Sequence, residues 1–173
     1  LQPLAEIGAL LRDGPALFHV DATQAVGRVA LDVDALGIDL LSMSAHKLYG
    51  PKGVGALYVR RRPRRVELQP LADGGGQENG LRPGTLNVPG IVGLGVACEL
   101  ALACRDEENA RLGRLRERLL GHLRQALDGL SVNGHPEWRL AGNLSIGIEG
   151  VEPEALLLGL PELAVSAGAA CSS

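Results

Sequence analysis

Asp21 and Lys47, set 26 positions apart, make the most pointed chemical suggestion in this chain. Of its 17 basic residues only Lys47 and Lys52 are lysines, and the other 15 are arginines. Arginine stays protonated and cannot become a nucleophilic amine, whereas a lysine amine can condense with a carbonyl. Both lysines lie in His46-Lys47-Leu48-Tyr49-Gly50-Pro51-Lys52-Gly53. A carboxylate such as Asp21 can keep a heterocyclic nitrogen protonated, and the hydroxyl of Ser44 and imidazole of His46 can donate to a phosphate. Gln24, one turn past Asp21, adds an amide donor. Singly, each has a plainer structural use: a capping aspartate, a satisfied histidine, a lysine on a turn. Their grouping is what points to a site.

The elements that must position them are legible in outline. Residues 3–13 read as a helix that stops near Gly14-Pro15. Ala16 to Val20 is a short apolar run ending at Asp21, as in a buried parallel strand. Asp34 to Gly37 suggests one helical turn, with Asp32 and Asp34 read as caps. Strands are expected at Asp39 to Met43 and Val54 to Arg60. This order predicts α/β architecture with a mainly parallel sheet, in which ligands collect at the carboxyl edge of the strands. Asp21 and the segment from Ser44 to Lys47 both fall at such an edge.

A glycine-rich loop over 72–90 is long enough to suggest binding. A helical region over roughly 90–128 follows, with Leu112, Leu115, Leu119 and Leu123 as an apolar stripe and Glu107 four before Arg111. Asn143 to Ile148 reads as a strand, Pro153 to Leu158 as a short helix, and Val165 to Ser173 as a loop. The domain boundary is placed inside the long helical region, between residues 103 and 104.

Bulk composition restricts the function classes. At 173 residues, 46% hydrophobic and 21% charged, the chain has the composition of a globular protein with a core. A net charge of -3 gives no reason to expect nucleic acid or an anionic membrane as partner. No uninterrupted apolar run suggests a membrane span, and Leu1 to Leu4 does not begin a signal peptide. Cys98, Cys104 and Cys171 are an odd number without metal-like pairing, which predicts a reducing, cytoplasmic setting and no metal site. Cys98 and Cys104, among Ala, Leu and Val, read as small core residues. The run Arg60-Arg61-Arg62-Pro63-Arg64-Arg65 reads as a solvated strand end.

Pyridoxal 5'-phosphate is a cofactor that needs this set of groups: an amine for its aldehyde, a carboxylate for its ring nitrogen and donors for its phosphate. Lys47 can supply the first, Asp21 the second, Ser44 and His46 the third, and Gln24 can donate to the ring's phenolic oxygen.

Five ordered motifs extend this reading. His19-Val20-Asp21-Ala22-Thr23-Gln24, Ser42 to Gly53, Gly74-Gly75-Gly76-Gln77-Glu78, Arg82-Pro83-Gly84-Thr85-Leu86-Asn87 and Ser166 to Ser172 together resemble the cysteine desulfurases of the NifS/IscS-like class. Those enzymes belong to the class V aminotransferase superfamily and the fold type I of pyridoxal-phosphate enzymes. The resemblance implies Lys47 as the Schiff-base lysine, Asp21 at the pyridinium, Gln24 at the phenolic oxygen, and Ser44 and His46 at the phosphate. It implies Thr85 at the phosphate held by a second subunit, hence a homodimer. Cys171 is implied as the nucleophile that takes sulfur from L-cysteine, leaving a persulfide and releasing alanine. The sulfur would then pass to an acceptor, an iron–sulfur scaffold or a tRNA-thiolation protein. Residues 1–103 would be the C-terminal part of the large cofactor-binding domain, and 104–173 part of a small α+β domain ending in the cysteine loop.

The pattern departs from the family at Ala45 (often Gly), Pro83 (often Ser) and Ala169 (often Ser). The family's ring-stacking His, its ring-contacting Asn and its substrate-binding Arg would lie beyond the two ends, so the 173 residues are expected to be a fragment inactive alone. Three other readings stay open: a selenocysteine lyase, a class V aminotransferase, and a non-catalytic scaffold derived from a desulfurase.

Overall fold

The structure, a computed structural model, describes residues 1–168. The chain divides into two compact units, residues 1–110 and residues from 111 onwards.

The first unit begins with α1 (Leu4–Leu11), followed by β1 (His19–Asp21), β2 (Leu40–Ser44) and β3 (Gly55–Val59) in one sheet of order β1-β2-β3. β1 runs parallel to β2, with Asp21 beside Ser42, while β3 runs antiparallel to β2, with Gly55 beside Ser44. The antiparallel pairing differs from the mainly parallel sheet expected from sequence. Only ten residues, 45–54, join β2 to β3, and a crossover to a parallel strand needs about a dozen or more. The connection therefore has to turn back.

The strands bury Val20, Leu40 and Leu41, while His19, Asp21 and Leu57 stay exposed. Phe18, Val20, Ala22, Ile38 and Leu41 form one core cluster, with Leu4, Ile7 and Leu11 of α1 packed on it. Ile38 is fully buried, a placement worth roughly 1.5–3 kcal/mol by transfer. Gly8 lets α1 come down on the 32–37 turn: a Cβ there would stand 2.0 Å from the Leu36 carbonyl oxygen. That turn is capped as expected by Asp32, whose Oδ1 accepts from the amides of Asp34 and Ala35 at 2.9 and 3.0 Å.

α2 (Val88–Ala126) starts in this unit and continues past residue 110. Leu94 and Ala97 bury one side of it against Ala45 and Leu48, while Val88, Val92, Val96 and Leu100, four apart, stay exposed. By length and composition alone this helix is apolar enough to cross a membrane, although its sequence contains no uninterrupted apolar run of that length. The same composition serves a helix seated on protein, as Leu94 and Ala97 are here.

In the second unit, β4 (Leu130–Val132) pairs antiparallel with β5 (Ile146–Ile148), and α3 (Pro153–Gly159) follows. The expected leucine stripe is only partly sheltered. Leu112 lies against Gly142, but Leu115 and Leu119 are exposed and the adjacent Leu120 is the buried one.

Candidate functional site

β1 and β2 end side by side, and their carboxyl ends carry Asp21 and Ser44. The chain then tightens into one 3₁₀ turn, Ala45–Leu48, which holds His46 and Lys47. Ala45 and Leu48 are its buried feet, packed on Leu94 and Ala97 of α2. His46 is left exposed and Lys47 half-buried. The turn closes with Tyr49 in the left-handed conformation (φ 62°) and the Gly50 amide donating to the Ala45 carbonyl at 2.9 Å. The Ala45 amide donates to Val54 at 3.0 Å, so both ends of the lysine turn are tied.

Asp21 is exposed, and its Oδ1 accepts from the Thr23 amide at 2.9 Å. The Thr23 side chain, then the Thr23 amide, hold the carboxyl below its ordinary range against opposition from desolvation, and His19 adds a smaller lowering. Asp21 therefore stays a carboxylate at neutral pH, the state needed to pair with a protonated ring nitrogen.

Ser44 Oγ and His46 Nδ1 share a hydrogen bond at 2.8 Å. Either direction of that bond leaves one donor over. When Ser44 donates, the neutral ring carries its proton on Nε2; when Nδ1 donates, the Ser44 hydroxyl proton is free. The pair can thus present an N–H or O–H to an anion without breaking its internal bond.

Gln24 lies exposed in the turn after β1. Thr85 is exposed in the 81–87 loop, its carbonyl accepting from Arg82 Nη1 at 3.3 Å. Among the described residues no hydrogen bond links Thr85 to the lysine turn. The same loop is held together by the Gly84 amide donating to Gln77 Oε1 at 3.1 Å. Cys171 lies outside the described residues. The structure thus brings Asp21, Ser44, His46 and Lys47 to one sheet edge, with Gln24 in the adjoining turn. Lys52 lies in the exposed turn that leads into β3.

The structure corrects two details of the sequence reading and supplies a residue it missed. Arg60, read as solvated, is only 5% exposed and pairs with Asp34 at 2.7 Å and Asp39 at 3.6 Å. Asp34 is therefore an ion-pair partner as well as part of the turn. Cys104 is exposed rather than a core residue, whereas Cys98 is half-buried against the second core cluster. The missed residue is Arg28, whose Nη2 lies 3.5 Å from the Lys47 carbonyl oxygen and whose own carbonyl accepts from Asn109 Nδ2 at 2.6 Å. Separations of 19 and 81 residues left no local pattern to find it by.

Comparison with known proteins gives one consistent result. A family model described as aminotransferase class-V matches residues 1–173. The chain is 55% identical over 173 residues to a "Cysteine desulfurase IscS" of Anaeromyxobacter dehalogenans, covering all of this chain and 43% of that protein. It is 52% identical over 173 residues to "Cysteine desulfurase, mitochondrial" of Arabidopsis thaliana, covering all of this chain and 38% of the relative. Among solved structures, a NifS-like protein from Rickettsia africae superposes with a TM-score of 0.90 at 32% identity, over 97% of this chain and 46% of that one. The chain thus spans less than half the length of the curated relatives it matches.

Proposed function

The chain belongs to the aminotransferase class-V family, and from that premise we propose that it forms part of a pyridoxal-phosphate-dependent cysteine desulfurase. The observation that carries this reading is the shared carboxyl edge of β1 and β2, where an ionised Asp21, the Ser44–His46 pair and Lys47 stand together.

The residues present fit the cofactor. Lys47 would hold its aldehyde, Asp21 its ring nitrogen, Gln24 its phenolic oxygen, and Ser44 with His46 its phosphate. Thr85 would reach the phosphate bound by a second subunit. Bound pyridoxal phosphate supplies an electron sink for the bond changes at the substrate's Cα and Cβ. The chain's own residues do the rest. The Lys47 amine, when free of the cofactor, would act as the base and acid that moves the substrate's Cα proton. Asp21 holds the ring proton that makes the sink effective. The Cys171 thiolate attacks the substrate sulfur; the new S–S bond forms as the substrate's Cβ–S bond breaks, giving a persulfide on Cys171 and alanine.

Residues 1–103 would contribute to the large domain and 104–173 to the small one. The full protein would act as a cytoplasmic homodimer that passes sulfur to an iron–sulfur scaffold or a tRNA-thiolation protein, with no direct contact to nucleic acid. Because 173 residues amount to 43% of the bacterial relative, the segment alone is expected to release no sulfide from cysteine.

The deciding experiment is Cys171→Ala in the full-length protein. Loss of cysteine-dependent persulfide and sulfide, with the visible cofactor band retained, is the expected result. Undiminished sulfide release would refute the assignment and favour a selenocysteine lyase, whereas an aminotransferase would release no sulfide from cysteine before or after the substitution.

A further inference from the structure

Arg28 has no role in the site as assigned above, yet its cationic side chain reaches the main chain of Lys47. Its Nη2 lies 3.5 Å from the Lys47 carbonyl oxygen in a part-buried setting. Its own backbone is fixed twice: the amide donates to the Ala25 carbonyl at 2.9 Å, and the carbonyl accepts from Asn109 Nδ2 of α2 at 2.6 Å. The preceding Gly27 has φ +74°, and a Cβ there would stand 2.6 Å from Leu48 Cδ2 and 2.9 Å from Ala101 Cβ. Residues 27–28 are therefore a wedge between the lysine turn and α2.

A single 3₁₀ turn cannot fix itself, because one turn recovers too few hydrogen bonds for the backbone freedom it gives up. Its last carbonyls also lack partners within the turn. A guanidinium at that end satisfies one of them, and the turn's dipole favours a cation there. Arginine does this at every working pH, since it does not deprotonate. A lysine side chain that must release and re-engage a bound carbonyl needs its main chain to stay still while it moves.

We propose that Arg28 is a positioning residue for Lys47, and that Asn109 in turn positions Arg28, so that α2 is linked to the lysine turn through the series Asn109–Arg28–Lys47. This rests on the reading of Lys47 as the Schiff-base lysine. The test is made in the full-length protein with Arg28→Gln, Arg28→Lys and Asn109→Ala, by amide hydrogen exchange and by pyridoxal phosphate binding. Arg28→Gln is expected to speed exchange at the Ala45 and Gly50 amides while β1 and β2 keep wild-type protection. It should weaken cofactor binding by about two- to tenfold, and Arg28→Lys should recover part of both losses. Wild-type exchange at Ala45 and Gly50 would overturn the proposal. So would unchanged cofactor binding, or faster exchange spread evenly through the sheet, since the last would make Arg28 merely structural. Should Arg28→Gln fail to fold, Asn109→Ala decides: the same local change at smaller size supports the series, and no change or a global one overturns it. The underlying reading fails separately, if wild-type protein forms no visible lysine-linked band or if Lys47→Ala keeps it.

Discussion

The two ends of the same three-stranded sheet treat charge in opposite ways. At the end where β1 and β2 begin and β3 finishes, Arg60 is buried and donates from all three of its side-chain nitrogens. It donates to the carbonyls of Ile38, Val33 and Arg62 and to Asp34, while Asp39 accepts the Phe18 amide at 2.9 Å. At the other end Asp21 and His46 are exposed, and their only side-chain bonds among the described residues are local ones, to residues two positions away. A charge that holds a fold together is surrounded by partners; one that handles a ligand keeps its donors and acceptors available. The difference separates Arg60 from Lys47 better than residue type or charge density does.

The first way to break that comparison is at the open end. Lys47→Ala in the full-length protein should reduce cysteine desulfurase turnover to background and leave the unfolding midpoint of the cofactor-free protein close to wild type. A large drop in that midpoint would show that Lys47 belongs with the structural charges. At the closed end the effect should reverse. Arg60→Met leaves the buried Asp39 carboxylate without its cation, at a cost of about 3–5 kcal/mol, read from denaturant unfolding. A loss under about 1 kcal/mol would mean that the Arg60 network is no stronger than a surface pair. Ile38→Ala, next to that network, should cost roughly 2–5 kcal/mol through lost burial and the cavity left behind. It sharpens the comparison by giving the scale of a purely apolar loss at the same end.

The smallest effect is a pH dependence. Both Asp32 amide bonds, Ala35 first and then Asp34, hold its carboxyl below the ordinary carboxylate range. The folded pKa lies under the unfolded one, so this stabilisation is present above the unfolded value of about 3.9 and is lost as pH falls through the folded one. Asp32→Ala should therefore lower the melting temperature at pH 7, and the gap from wild type should close in strong acid. A gap that persists there would assign the effect to something other than the ionised cap.

Much of the open end was legible in the sequence. Apolar runs that stop at Asp21 and Ser44 mark strand ends whatever their partners, and the retained Lys47 stands out against fifteen arginines. The closed end was not legible. Six residues from Arg60 to Arg65 read as solvated charge because local patterning cannot show that Asp34 and Asp39 fold back onto the first of them. Arg64 was hidden in the same way, donating to the carbonyls of Gly14, Pro15 and Ala16 nearly fifty residues earlier. The direction of β3 was recoverable from the ten-residue connection, but the apolar character of its residues says nothing about direction. Arg28 and Asn109 meet only because α2 packs beside the turn after β1.

One measurement bears directly on the central claim that Lys47, and not its neighbour Lys52, is the amine that holds the cofactor. The full-length protein is loaded with pyridoxal phosphate, the linkage is reduced with borohydride, and the modified lysine is located by peptide mass spectrometry. A pyridoxyl adduct on Lys47 with Lys52 unmodified is the expected result; an adduct on Lys52 alone, or none on either, would contradict the assignment.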